Sequence, residues 1–368
     1  MKKIFTVLTS IALTFALSFS AAFANDDALM KSQNYLKTIT LDSPDAVIAY
    51  EATGMEADYK ADALLNNFKE TDYVTASYGD LAKSIIAISL LGENPKDFNN
   101  TNLVEILENR VQEDGTLTND VNGGCGATIW TLMALETVNS PKVKAVADKL
   151  STMAMDNGAY WYEYQGQNAD LDTTGWAMEA LSVAGRSTYK AAISKAYTFV
   201  QSKLNSTDGY YDNWGGNADT QSCVLEGLSV AGYTLDTNAY NYLLSYQNED
   251  GTFNALNYST GQLEPNAYAS VEGARALGVI NNGSFVLRAR RDYTETTTPV
   301  VTEPETPTTP TKPSTTTPAV KPETTTTEPK KETVKVVNTG DNTNVMAYVV
   351  AAIAAVGVIV LVIKSKKK

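Results

Sequence analysis

Asp172-Thr-Thr-Gly-Trp176-Ala-Met-Glu-Ala-Leu181-Ser-Val-Ala-Gly185 opens on hydroxyl and carboxylate side chains, continues through small and apolar residues and closes on glycine. The pattern recurs. Ser84-Ile-Ile-Ala-Ile-Ser-Leu-Leu-Gly92, Trp130 to Asn139, Cys223-Val-Leu-Glu-Gly-Leu-Ser-Val-Ala-Gly232 and Glu272-Gly-Ala-Arg-Ala-Leu-Gly278 align with it. Their register residues Ile88, Leu135, Leu181, Leu228 and Leu277 lie 47, 46, 47 and 49 residues apart. A spacing near 47 is the length of a helical hairpin repeat.

In each repeat the first helix reads amphipathic and the second apolar nearly all round. Ile193, Tyr197, Val200 and Leu204 make a stripe of period 3.6, whereas Trp176 to Ala184 has only Glu179 and Ser182 as polar breaks. The amphipathic helices therefore belong outside and the apolar ones inside. Asp172-Thr-Thr and Asp219-Thr read as N-caps of inner helices, and Gly185 and Gly232 as C-caps. Turns at Asp114-Gly115, Asn157-Gly158, Asp208-Gly209 and Asp250-Gly251 join outer to inner helices. A weaker copy, Asp27 to Leu36 followed by Ala46 to Gly54, brings the number of hairpins to six, enough to close a ring. The expected fold is all-α, an (α/α)6 toroid over residues 25–292.

Composition removes several chemistries. The 368 residues include two cysteines and no histidine, so no Ser-His-Asp or Cys-His nucleophile and no His-ligated zinc can be built. A formal net charge of −13 argues against nucleic acid as a partner, because phosphate binding needs a basic face. No cofactor is implied. Cys125 and Cys223 fall two hairpins apart and read as buried thiols rather than a disulfide.

The two ends read as addresses. Lys2 and Lys3, an apolar run and Ala22-Phe-Ala24 form a signal peptide over 1–24. Residues 293–335 are rich in Thr, Pro, Glu and Lys, a composition that cannot bury a core and reads as a disordered stalk. Val345 to Ile363 carries no charge and is followed by a basic tail, 364–368, as expected of a transmembrane helix with the tail inside. Between stalk and span, 336–344 contains Thr339-Gly340 and resembles the sorting signal that a sortase joins to peptidoglycan, with Val336 and Val337 where Leu and Pro belong. Wall linkage and a permanent membrane anchor both remain open. Either places the folded part at the cell surface.

Gln247-Asn-Glu-Asp-Gly251-Thr-Phe253 is close to the Gln-x-x-x-Gly-x-Trp motif of squalene and hopene cyclases. With the Asp172 to Leu181 run, it makes the chain resemble the terpenoid cyclase and protein prenyltransferase superfamily of α/α toroids, which also includes complement thioester domains and cobalamin carriers. The resemblance implies the fold over about 250 residues but no single function. Prenyltransferase zinc needs a His. A thioester needs Gln where Gly124-Cys-Gly-Ala-Thr128 has Thr128. Cobalamin carriers close their site with a second β-domain, which no stretch here supplies.

The cyclase acid motif Asp-x-Asp-Asp is matched by Asp170-Leu-Asp172 but has Thr173 in its last place, so the acid would be Asp172. Asp219 occupies the same register one repeat on, which favours a cap over an acid. Glu163 with Asp172 or Asp219 could also form a glycosidase pair. The preferred reading is a binding module with a mouth at the inner-helix N-termini. Trp161, Tyr162, Tyr164, Trp176, Tyr211, Trp214, Asp219 and Tyr268 would take a glycan, isoprenoid or corrinoid-like ligand there. The alternative is a terpene-cyclase-like enzyme using Asp172, assisted by Asp170.

Overall fold

The computed structural model describes residues 26–56, 68, 70–120, 124–211 and 216–297. The expected signal peptide, residues 298–335 of the stalk, the Thr339-Gly340 segment, the apolar span 345–363, the basic tail and Trp214 lie outside them. Among the described residues no helix is long and apolar enough to cross a membrane.

The described chain is helix-rich, as expected of an all-α fold, with twelve helices. They are α1 (Asp26–Leu36), α2 (Pro44–Ala52), α3 (Tyr78–Leu90), α4 (Leu103–Glu108), α5 (Gly126–Thr137), α6 (Val143–Ser151), α7 (Leu171–Gly185), α8 (Lys190–Gln201), α9 (Ala218–Ala231), α10 (Thr237–Ser245), α11 (Ala267–Asn282) and α12 (Phe285–Thr297). Burial divides them as the periodicity predicts. Helices α2, α3, α5, α7, α9 and α11 are buried over most of their length. By contrast α6, α8 and α10 bury one stripe each, Val146, Ala147 and Leu150 in α6, for example. Helix α2 packs on α3, α3 on α5, α5 on α7, α7 on α9 and α9 on α11, and α11 returns to α2. Outer helices bridge successive inner ones: α4 lies on α3 and α5, α6 on α5 and α7, α8 on α7 and α9, and α1 on α11 and α2.

The turn at Asp250-Gly251 shows why glycine is needed. Gly251 has φ of +86°, and a Cβ there would lie 2.0 Å from the Lys31 carbonyl oxygen of α1. Gly158 repeats the arrangement against the Lys195 carbonyl of α8. Each turn thus seats directly on the next repeat's outer helix. Gln247 completes the contact between last and first repeats, its Nε2 donating to Ala28 O at 2.9 Å and Ser32 Oγ at 3.0 Å.

Among the described residues three short antiparallel hairpins, which an all-helical reading did not foresee, connect outer to inner helices. They are β1 (Tyr160–Glu163) with β2 (Gln167–Asp170), β3 (Leu204–Asn205) with β4 (Gly209–Tyr210), and β5 (Phe253–Asn257) with β6 (Gln262–Asn266). Leu204, expected to end the α8 stripe, lies in β3. At each hairpin base an aromatic residue is fully buried and its N–H is bound by the following inner helix. Tyr160 N–H donates to Thr174 Oγ1 at 2.9 Å, Tyr210 N–H to Gln221 Oε1 at 2.9 Å and Phe253 N–H to Ser270 Oγ at 2.8 Å.

The twelfth helix is not an outer member of a hairpin. Helix α12 packs on α2, α3 and α5. Its Phe285 ring stacks on Trp130 with centroids 6.2 Å apart, Arg288 pairs with Glu51, and Arg290 pairs with Glu136. Just before it, Ser284 Oγ donates to Glu179 Oε1 at 2.9 Å. Phe285, Val286 and Ala289 are buried, the phenyl ring alone contributing about 2 kcal/mol. The helix continues past Asp292, where the folded part was expected to end, because Tyr293 is itself buried, with Lys96 Nζ 5.7 Å from its ring.

Candidate functional site

Counting back from Leu181, Leu228 and Leu277 sets out the polar faces of three consecutive inner helices. Nine residues before stand Asp172, Asp219 and Tyr268; five before, Trp176, Cys223 and Glu272; two before, Glu179, Glu226 and Arg275. Steps of four and three residues keep all three positions on one helix face. The middle level continues onto α5 as Trp130 and onto α3 as Lys83. Contacts between helices show that these faces meet. Trp130 and Trp176 form a T-shaped pair at 5.7 Å, and Lys83 Nζ lies 4.6 Å over the Trp130 ring while pairing with Asp45 at 2.8 Å. Cys223 Sγ donates to Glu272 Oε2 at 3.8 Å. Arg275 Nε reaches both Glu226 oxygens at 3.1 and 3.0 Å, and its Nη2 is 3.6 Å from Glu272.

The cap assignments need correction. The N-cap of α7 is Asp170, which accepts from Thr173 N–H at 2.8 Å, and that of α9 is Asn217, which accepts from Thr220 N–H at 2.8 Å. The helices start two residues earlier than expected, so Asp172 and Asp219 fall within the first turn and are not needed by their own amides. Instead the Thr220 hydroxyl of α9 bonds Asp172, while Asp172 Oδ1, Asp219 Oδ1 and Trp176 Nε1 are buried without a hydrogen-bond partner. Gly232 is an αL C-cap at φ of +77°, as expected. Gly185 is the last residue of α7, and Arg186 follows it at the cap.

Burial dominates the electrostatics. It pushes the Asp172 carboxyl well above the usual range, with Asp170, Glu272 and Asp219 adding repulsion. Asp219 is raised by burial against the opposing pull of Arg275. Glu272 is raised to about 7, again by burial, and Glu179 is raised by burial and by the neighbouring Glu226. Burial and Glu272 also raise the Tyr268 hydroxyl.

Beside this polar interior, a cleft of about 790 Å³ opens at the N-terminal ends of α3, α5 and α7. Tyr78, Tyr162 and Trp176 supply its aromatic surface, and Arg110, Asp120 and Glu163 its charges. Of the expected ligand residues, Tyr162 and Trp176 line the cleft, whereas Asp219 and Tyr268 stand on α9 and α11. Trp161 is a wall residue, its Nε1 donating to Met153 O at 3.0 Å. Tyr164 and Tyr211 are 66% and 48% exposed and do not line the cleft. Sequence reasoning missed Glu226, Glu272, Arg275 and Lys83. Their signal is a charged residue recurring on an otherwise apolar helix, as at Glu179. Cys125 and Cys223 are buried free thiols, as expected. No group of His, Cys, Asp and Glu among the described residues could hold a metal ion.

No protein-family model matches the chain, and no curated protein matches it. Among solved structures, a protein from Actinoplanes is similar at 12% identity with a TM-score of 0.46, over 73% of this chain and 99% of that one.

Proposed function

We propose that the chain is a surface-anchored (α/α)6 toroid of the cyclase and prenyltransferase type, which binds a glycan at the mouth formed by its inner-helix N-termini. The closed packing order from α2 round to α11 supports the toroid. The observation that carries the binding reading is the cleft beside Trp176, where aromatic rings adjoin buried polar atoms without partners. A sugar ring offers an apolar face to stack on Tyr162 and Trp176 and hydroxyls of both hydrogen-bonding senses. An isoprenoid would bring only apolar surface against Asn109, Arg110, Asp120 and Glu163 in the same cleft, stripping water from them without replacing its hydrogen bonds. In this reading Thr339-Gly340 and the apolar span tether the module to the wall or membrane.

The test is titration calorimetry of the full chain with oligosaccharides of the cell-wall type. Trp176→Ala should weaken binding about tenfold, the loss of roughly one stacked aromatic contact. Unchanged affinity in that variant, with circular dichroism preserved, overturns the reading.

The acid alternative has one observation in its favour: Asp172 is held above the usual carboxyl range with Oδ1 unpartnered. The adjoining cleft is lined by Asn109, Arg110, Asp120 and Glu163 and is not the dry apolar cavity that alkene protonation requires. Turnover of a squalene-like lipid by the full chain, abolished in Asp172→Asn, would establish it over the binding reading.

A further inference from the structure

We infer that the ligand of this mouth carries a free amino group, held as an ammonium between Asp172 and Asp219 and against the face of Trp176. The inference rests on the mouth reading and narrows it from glycans at large to amino sugars that are not acetylated.

Three observations lead there. First, none of the protein's cations bonds the free oxygens of these two carboxylates. Lys83 is paired with Asp45, Arg275 with Glu226, and Arg110 donates to the carbonyls of Ala76, Tyr73 and Val74. Second, Oδ1 of Asp172 and Oδ1 of Asp219 are shut off from solvent with no donor reaching them, which marks two acceptors awaiting one. Third, Trp176 stands one turn beyond Asp172 on the same face of α7, and its ring also lines the cleft. An ammonium entering past that ring gains both a cation–π contact and charge-assisted hydrogen bonds. A neutral hydroxyl would meet the same oxygens with a weaker, uncharged hydrogen bond.

An orphaned donor fits the same ligand. Trp176 Nε1, one turn beyond Asp172, has no acceptor. A hydroxyl vicinal to the amine would serve it. An acetylated amine has no charge and adds a methyl group where the carboxylates converge. The groups that face Asp172 are Asp170 on its own segment, Thr220 and Asp219 on α9, and Glu272 on α11. An ammonium arriving among them favours the ionised carboxylate, so a carboxyl proton is expelled on binding.

The experiment is calorimetry of the full chain at pH 6 with three probes: a β-1,4-linked glucosamine tetramer, the same tetramer N-acetylated, and cellotetraose. The amine is expected to bind at least about tenfold tighter than either neutral probe, with the advantage shrinking as salt is raised. In buffers of different ionisation enthalpy it should release a proton that the neutral probes do not. Asp172→Asn and Asp219→Asn should each narrow the preference, so a folding failure of one leaves the other to report. Equal or tighter binding of a neutral probe overturns the amine and leaves the glycan mouth standing. No binding of any probe overturns both.

Discussion

Asp172 is the residue at which sequence and structure part most instructively. A carboxylate before Thr-Thr at a helix start looks like a cap, yet Asp170 takes that role and Asp172 turns to the interior. Its raised pKa has a definite sign. The unfolded chain gives up this proton near the ordinary carboxyl value, while the folded chain keeps it to higher pH, so stability is lost as pH rises through that interval. Asp172→Asn should therefore raise the melting temperature at pH 7, with the gain vanishing towards pH 4; a lower melting temperature at pH 7 would show that its charge is compensated. The thiols give a second prediction at this scale. Burial pushes Cys125 to about 11 and Cys223 well above its ordinary value. Neither should react with a disulfide reagent in native protein at pH 8, and both should react on denaturation, as counted by released chromophore.

At the scale of elements, the inner and outer helices were legible because burial all round and burial on one stripe write different periodicities into the chain. The hairpins were not legible. Gln167 to Asp170 and Gln262 to Asn266 are polar, short and of low strand propensity, and they pair only because Tyr160 and Phe253 are pinned at their bases. The Asp-Gly turns were visible as turns, but not as contacts with the next repeat. Gly251→Ala tests this. The methyl group would meet the Lys31 carbonyl in a backbone region that already disfavours alanine, and a loss of about 3 kcal/mol or more is expected in urea denaturation. Gln247→Ala removes two hydrogen bonds to α1 and should cost about 1–2 kcal/mol.

For the whole molecule, the acids of the interior act together. Glu272 is raised to about 7, and Asp172, Asp219 and Glu179 are all raised, so the folded state binds more protons than the unfolded state above the ordinary carboxyl range. Stability should fall as pH climbs from about 4.5 through 7. Denaturation midpoints at pH 5 and pH 7.5 would show the slope, which Glu272→Gln should flatten. The apolar half of the interior could be read from the sequence as register residues. Its charged half could not, because Glu226, Arg275 and Glu272 make sense only once α9 and α11 are side by side.

Helix α12 bears on how the molecule is made. Glu51, Glu136 and Glu179 belong to helices synthesised early, yet their partners Arg288, Arg290 and Ser284 lie in the final stretch of the folded region. A growing chain that has emerged only as far as Asn282 would hold unneutralised acids and leave Trp130 without the Phe285 ring. Completion must await the stretch from Gly283 to Thr297, so a premature stop there should be far more harmful than its length suggests, producing a loosely packed species that proteases remove.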